Sequence, residues 1–155
     1  MSAELPALVV TLPARTIADA RKQMEEARES GASFFEVRFD RFSEGELGRV
    51  SELFPSGSPL LATLRSAAEG GEGPDDPERR ARILTELARQ PFRWIDVELA
   101  RDTAVARSLS RPGRLGLIVS TFSPVPLRES EWRSLLREAV PEASIRKVVA
   151  PASVA

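Results

Sequence analysis

Six short apolar runs, spaced by longer stretches that read as amphipathic helices, constrain this chain more than any other feature. The runs cover residues 8–12, 34–39, 60–64, 94–99, 115–120 and 145–149. Each has the length of a strand and is bounded by Gly, Pro or polar residues. Helices are predicted between them at 16–29, 43–53, 77–89, 102–110 and 129–139. Thr16 is suited to cap the first helix, Gly31 lies just past its end, and Pro77 fits the first turn of the third. The stretch 66–77 is dense in Gly, Pro, Asp and Glu and is predicted to be a loop, as is the Pro-rich 122–126. A turn is expected at Pro112-Gly113, and Pro141 follows the end of the last helix. Strands alternating with helices imply a parallel α/β sheet, doubly wound or closed into a barrel, with strands mostly buried on both faces.

The chain has 155 residues, enough for one domain with a real core, so 1–155 is expected to form a single domain. With 29% charged residues and a net charge of −1, nothing in the global balance favours nucleic acid or an anionic membrane as a partner. No apolar run reaches transmembrane length, and Met1-Ser2-Ala3-Glu4-Leu5-Pro6 lacks the regions of a signal peptide, so a cytoplasmic location is expected. Cys, His and Tyr are all missing. Proton transfer therefore falls to Asp, Glu, Lys or water, and no metal or other cofactor is expected. Gly70-Gly71-Glu72-Gly73 follows the wrong strand for a dinucleotide fingerprint, and Glu69 and Glu72 speak against a phosphate cradle.

Of the 22 basic residues only Lys22 and Lys147 are lysines. Lys22 lies in a polar helical stretch, whereas Lys147 sits in the apolar run 145–150. Guanidinium stays protonated in proteins, so arginine cannot replace lysine as a nucleophile. A lysine on a buried strand is costly to charge, which makes its neutral, nucleophilic form available. The plainer alternative is a strand-edge lysine whose amine snorkels to water.

Alternate residues of a strand share a face. Glu36, Arg38 and Asp40 thus project together from strand two and its continuation, and Asp96 with Glu98 from strand four. Arg65 lies one residue beyond strand three, and Ser120 ends strand five. Such residues converge at the C-terminal face of a barrel, either as a site or as a lattice of ion pairs that only satisfy one another. As a site, Arg38 and Arg65 are forks suited to a carboxylate. A neutral lysine converts a ketone into an iminium, an electron sink for a carbanion at the adjacent carbon. An anionic, hydroxylated ketone is the small-molecule substrate such a set would take, undergoing proton abstraction and then elimination or carbon–carbon cleavage.

These residues resemble type I 3-dehydroquinate dehydratase, the Schiff-base enzyme of the shikimate pathway. Glu36-Val37-Arg38-Phe39-Asp40 is similar to that family's Glu-x-Arg-x-Asp strand. Thr63-Leu64-Arg65-Ser66 with Glu69-Gly70-Gly71 resembles its Thr-Leu-Arg-(Thr/Ser)-x-x-Glu-Gly-Gly segment. Ile95-Asp96-Val97-Glu98-Leu99 is similar to its fourth strand, and Lys147-Val148-Val149-Ala150-Pro151 to the strand bearing its Schiff-base lysine. The four matches keep the family's order and spacing. The resemblance implies a (β/α)8 barrel, usually dimeric, of which this chain supplies about five βα units and a sixth strand. It implies Lys147 and Glu69 as catalytic residues, with the imine on Lys147. It further implies Glu36, Arg38, Arg65 and Thr11 as substrate-binding residues, with Asp40, Asp96, Glu98 and Ser120 in support.

Two departures follow. The family carries an acid–base histidine in a Ser-x-His-(Asp/Asn)-Phe pattern, where this chain reads Ser120-Thr121-Phe122-Ser123-Pro124. General acid–base help is worth about 10²–10⁴-fold in rate, so a slow enzyme is expected unless Glu36, Glu69 or water substitutes. Strands seven and eight, with a further binding arginine and a lid, are expected to be missing. An open sheet of this kind exposes two edges, so a homo-oligomer or a complementing chain is the expected partner. A Schiff-base aldolase and a non-catalytic barrel fragment that binds a small hydroxy acid are the alternatives.

Overall fold

The computed structural model describes residues 8–54, 57, 59–109, 115–137 and 143–151. Six strands form one sheet: β1 (Val9–Leu12), β2 (Phe34–Arg38), β3 (Leu60–Thr63), β4 (Trp94–Glu98), β5 (Gly116–Phe122) and β6 (Ile145–Val149). All neighbours are parallel and the spatial order is the sequence order. A doubly wound sheet reverses its order at a switch point. This one does not, and it curls into an incomplete barrel with helices α1 (Ile17–Glu29), α2 (Glu44–Leu47), α3 (Pro77–Ala88), α4 (Leu99–Leu109) and α5 (Glu129–Arg137) along its course.

The alternation of side chains decides which face carries chemistry. On β2, Phe35 and Val37 join the core; on β4, Ile95 and Val97; on β5, Leu117 and Val119. They pack with Ile17 and Met24 of α1, Leu84 and Leu87 of α3, and Ala106 and Leu109 of α4. The opposite face carries Glu36, Asp96 and Ser120. Phe39, Phe42, Phe54 and Phe92 add edge-to-face contacts with ring centroids 4.9–5.6 Å apart. The expectation of strands buried on both faces holds only in the middle of the sheet. β3 is buried throughout, whereas β6 is half-buried or exposed along its length because it is the edge strand.

Local chemistry accounts for most element ends. Thr16 accepts the Asp19 amide at 3.1 Å and caps α1, and Gly31 beyond its end has φ +93°. Asp76 accepts the Arg79 amide at 2.7 Å, and Pro77 opens α3. The helix predicted over 43–53 is broken into α2 and a 3-10 turn, Val50–Leu53, with Gly48, a poor helix former, at the end of α2. The fourth helix begins at Leu99, directly after β4, so Asp102 lies inside it and is buried. β5 runs on to Phe122, into the predicted loop, because Phe122 pairs with Val149. The turn at Pro112-Gly113, Pro141, and the predicted helix ends at Ser110 and 138–139 lie outside the described residues. Among those described, no helix is long and apolar enough to cross a membrane.

Candidate active site

The polar face gathers its charges at the C-terminal ends of the strands. Arg65, just past β3, is the hub. Its Nη1 donates to Glu69 Oε2 at 2.7 Å and to Ser120 Oγ at 3.1 Å, and lies 3.4 Å from Glu98 Oε1. Its Nη2 lies 3.4 Å from both oxygens of Asp96. Ser120 donates in turn to Asp96 Oδ1. Residues from β4, β5 and the loop after β3 thus converge on one guanidinium whose side chain is 11% exposed.

Lys147 joins this cluster from β6. Its Nζ lies 3.3 Å from Asp96 Oδ2, so the amine reaches back across β5 to β4. It does not turn outward as a snorkelling lysine would. The expected buried strand is corrected here: the Lys147 side chain is 38% exposed, because β6 has no described neighbour on its far side. The side chain is partly open to solvent, while its amine faces a carboxylate.

Glu36 occupies the neighbouring position on β2. It accepts hydroxyl hydrogen bonds from Thr11 at 2.6 Å and Thr63 at 2.7 Å, which come from the strands on either side. Burial pushes its carboxyl up. The two hydroxyls, with the charges of Lys147 and Arg38, outweigh burial and hold it below the usual carboxylate range. Thr11 therefore touches the site through Glu36.

Arg38 forms a bidentate pair with Asp40 at 2.8 and 2.7 Å. Asp40 also accepts the Glu72 amide at 3.1 Å. Burial raises Asp40, but Arg38 and that amide more than offset it, leaving it low. This part of the constellation is the ion-pair lattice that the spacing also allowed. Both arginine forks read as carboxylate binders are occupied by carboxylates of the protein itself.

Glu69 behaves differently from Glu36. Burial, and then the nearby charge of Glu98, raise it above the usual range, and Arg65 and Arg101 offset this only in part. The loop that presents it folds tightly. Gly70 has φ +80°, and a Cβ on Gly71 would stand 2.3 Å from the Arg65 carbonyl oxygen. Outside, Glu72 pins this loop through two hydrogen bonds from Arg15, both 2.8 Å, and one from Arg41 at 3.1 Å.

No local sequence feature marks Thr63, Arg80 or Asp102 as part of this cluster. Thr63 stood in a quoted motif, but nothing marked its hydroxyl as the partner of Glu36. Arg80 is one of three arginines at 79, 80 and 82, and only the fold distinguishes the buried one. Among the described residues, no group of carboxylates is arranged to hold a metal ion.

The model of the type I 3-dehydroquinase family matches residues 8–154. The 3-dehydroquinate dehydratase of Thermococcus gammatolerans is 35% identical over 104 residues, 66% of this chain and 47% of that protein. That of Methanothrix thermoacetophila is 33% identical over 138 residues, 87% of this chain and 56% of its own length. The chain thus spans about half the length of these relatives. Among solved structures, the type I 3-dehydroquinate dehydratase of Clostridium difficile with covalent modified comenic acid superimposes with a TM-score of 0.80 at 25% identity, over 92% of this chain and 62% of that one. The enzyme of Geobacillus kaustophilus gives 0.80 at 25% identity, over 93% and 61%.

Proposed function

Because this chain belongs to the type I 3-dehydroquinase family, we propose that it dehydrates 3-dehydroquinate to 3-dehydroshikimate through an imine on Lys147. The observation that carries this reading is the inward reach of the Lys147 amine to Asp96, inside the Arg65 cluster. In the proposed course, Lys147 Nζ adds to the C3 ketone and expels its oxygen as water, giving an iminium. The iminium withdraws electrons as the C2 proton passes to a water molecule, leaving an enamine. The electron pair then expels the C1 hydroxyl, which takes up a proton and leaves as water. Hydrolysis of the conjugated iminium releases product and restores the amine, so the net change is loss of one water.

Roles for the other residues rest on their surroundings. Glu69 lies in the Arg65 cluster, 2.7 Å from Arg65 Nη1, with a carboxyl that burial and Glu98 raise, and it is assigned as the proton donor to the departing hydroxyl. It is the candidate to replace the histidine that the sequence lacks. Glu36, held low, is suited to accept hydrogen bonds from substrate hydroxyls. Arg65 and Arg38 are assigned to the substrate carboxylate, which requires one of them to release a protein carboxylate on binding. Asp40, Asp96, Glu98 and Ser120 orient these groups.

The exposed Ile145 and Val149 on β6 support a homo-oligomer or a complementing chain at that edge. A cytoplasmic location goes with the same reading. The test is the ultraviolet band of the conjugated enone after mixing the protein with 3-dehydroquinate. A slow, protein-dependent rise is expected, and its absence at high concentrations of folded protein overturns the assigned reaction.

A further inference from the structure

Arg80 lies on α3 and is fully buried, with a relative exposure of 0%. Its guanidinium is used on every side. Nε and Nη2 form a bidentate pair with Asp102 at 2.9 and 2.7 Å. Nη2 also donates to the Leu64 carbonyl at 2.9 Å, and Nη1 to the Pro74 carbonyl at 3.0 Å. Leu64 and Pro74 bracket the loop that presents Arg65 and Glu69, so one buried cation grips both ends of that loop.

The same cation reaches the strand beside it. Asp102 accepts the backbone amide of Glu98 at 2.8 Å. Arg80 Nη2 lies 3.5 Å from Glu98 Oε2, a buried oxygen with no hydrogen-bond partner. The other oxygen of Glu98 accepts the Ser66 amide at 2.7 Å and lies 3.4 Å from Arg65 Nη1. A continuous line of contacts therefore runs from Asp102 through Arg80 and Glu98 to Arg65. Buried ion clusters often add little to stability compared with apolar packing.

We propose that Arg80 is a positioning residue: from inside the fold it fixes Glu98 and both ends of the 65–74 loop, and thereby sets Arg65 and Glu69 for substrate without touching it. This rests on the reading of Arg65 as substrate-binding and Lys147 as imine-forming. A displacement of about 1 Å caused by a mutation away from the reacting atoms can cost about 10²-fold in function.

The test compares the 155-residue chain with its Arg80→Met variant, a side chain of similar length without donors. One readout is the amount of borohydride-reduced adduct as a function of 3-dehydroquinate concentration. The other is hydrogen exchange at the Ser66 amide, which reports whether Glu98 stays in place. In a folded variant the half-saturating concentration should rise about ten-fold, the loss expected when hydrogen bonds to a charged group are removed, while the plateau set by Lys147 is kept. Ser66 exchange should quicken by a similar factor. Unchanged half-saturation together with unchanged Ser66 exchange overturns the proposal, as does a lower plateau with an unchanged midpoint, the mark of a merely unstable protein. If Arg80→Met does not fold, Asp102→Asn serves, with smaller shifts in the same direction expected and none overturning the proposal. If the unaltered chain forms no adduct, the imine reading fails by itself, and Ser66 exchange alone decides the role of Arg80.

Discussion

Lys147 and Asp96 stand two strands apart, yet the amine of one lies 3.3 Å from the carboxylate of the other. Asp96 also faces Arg65, so one buried carboxylate lies between the proposed nucleophile and the proposed binding arginine. The two functions are thereby brought into one electrostatic unit, and changes at either end should be felt at the other.

Glu36 predicts an acid-dependent effect. Its folded pKa lies below the ordinary 4.5 despite burial, because Thr11 and Thr63 donate to it and Lys147 and Arg38 add positive charge. The native state therefore binds fewer protons than the unfolded state below that value. The stabilisation is present above 4.5 and is lost as pH falls through the lower folded value. Thr63→Val removes one hydroxyl donor and should cost about 1–3 kcal/mol near neutral pH. Urea unfolding across a pH series should show this difference shrinking below 4.5. A difference that is constant with pH contradicts the assignment.

Glu69 predicts the opposite slope. Burial and Glu98 hold its folded pKa above the ordinary 4.5, so between that value and the folded one the native state binds more protons than the unfolded state. Stability contributed by this group therefore declines through the window from 4.5 to the folded value and is level above it. Glu69→Gln removes that decline, so its stability relative to the unaltered chain should rise across the same window. If Glu69 also supplies the proton to the leaving hydroxyl, enone formation should fall by about 10²–10⁴-fold. An unchanged rate excludes it as the acid.

The loop geometry predicts a contrast between two glycines. A Cβ on Gly71 would meet the Arg65 carbonyl oxygen at 2.3 Å and its carbonyl carbon at 2.7 Å, both backbone atoms. Gly71→Ala should therefore destabilise by about 1–3 kcal/mol or more, as overpacking does. Gly45, inside α2, has only Ser43 Oγ at 4.0 Å. Gly45→Ala should stabilise by about 0.5–1 kcal/mol through helix propensity. Thermal unfolding of both variants checks the pair, and equal effects contradict the close approach.

Much of the fold was legible because parallel strands and covering helices leave separate periodicities in the chain. The spacing of Phe35 and Val37 against Glu36 already sorted the two faces of β2, and Thr16 and Pro77 marked helix starts, whereas the Asp76 cap is visible only in the fold. What failed was local. Gly48 ended a helix that the surrounding pattern carried through, and Phe122 stayed in β5 because it pairs with Val149, a partner distant in sequence. The same limit applied at the site. Residue types near strand ends pointed to Lys147, Arg65 and Asp96, but the pairing of Thr63 with Glu36 depends on strand register. The burial of Arg80 depends on how α3 docks against β4 and α4, which no local pattern records. Lys147 falls between the two alternatives its sequence allows: β6 is an edge strand among the described residues, yet the amine turns back to Asp96 rather than out to water, which only the fold decides.

The most direct test of the central claim is intact-mass spectrometry, followed by peptide mapping, after 3-dehydroquinate and borohydride are added to the folded chain and to Lys147→Arg. Borohydride reduces an iminium to a stable secondary amine, so the account predicts one adduct, mapped to Lys147 and absent from the arginine variant. An adduct that persists in Lys147→Arg, or maps to Lys22, contradicts it.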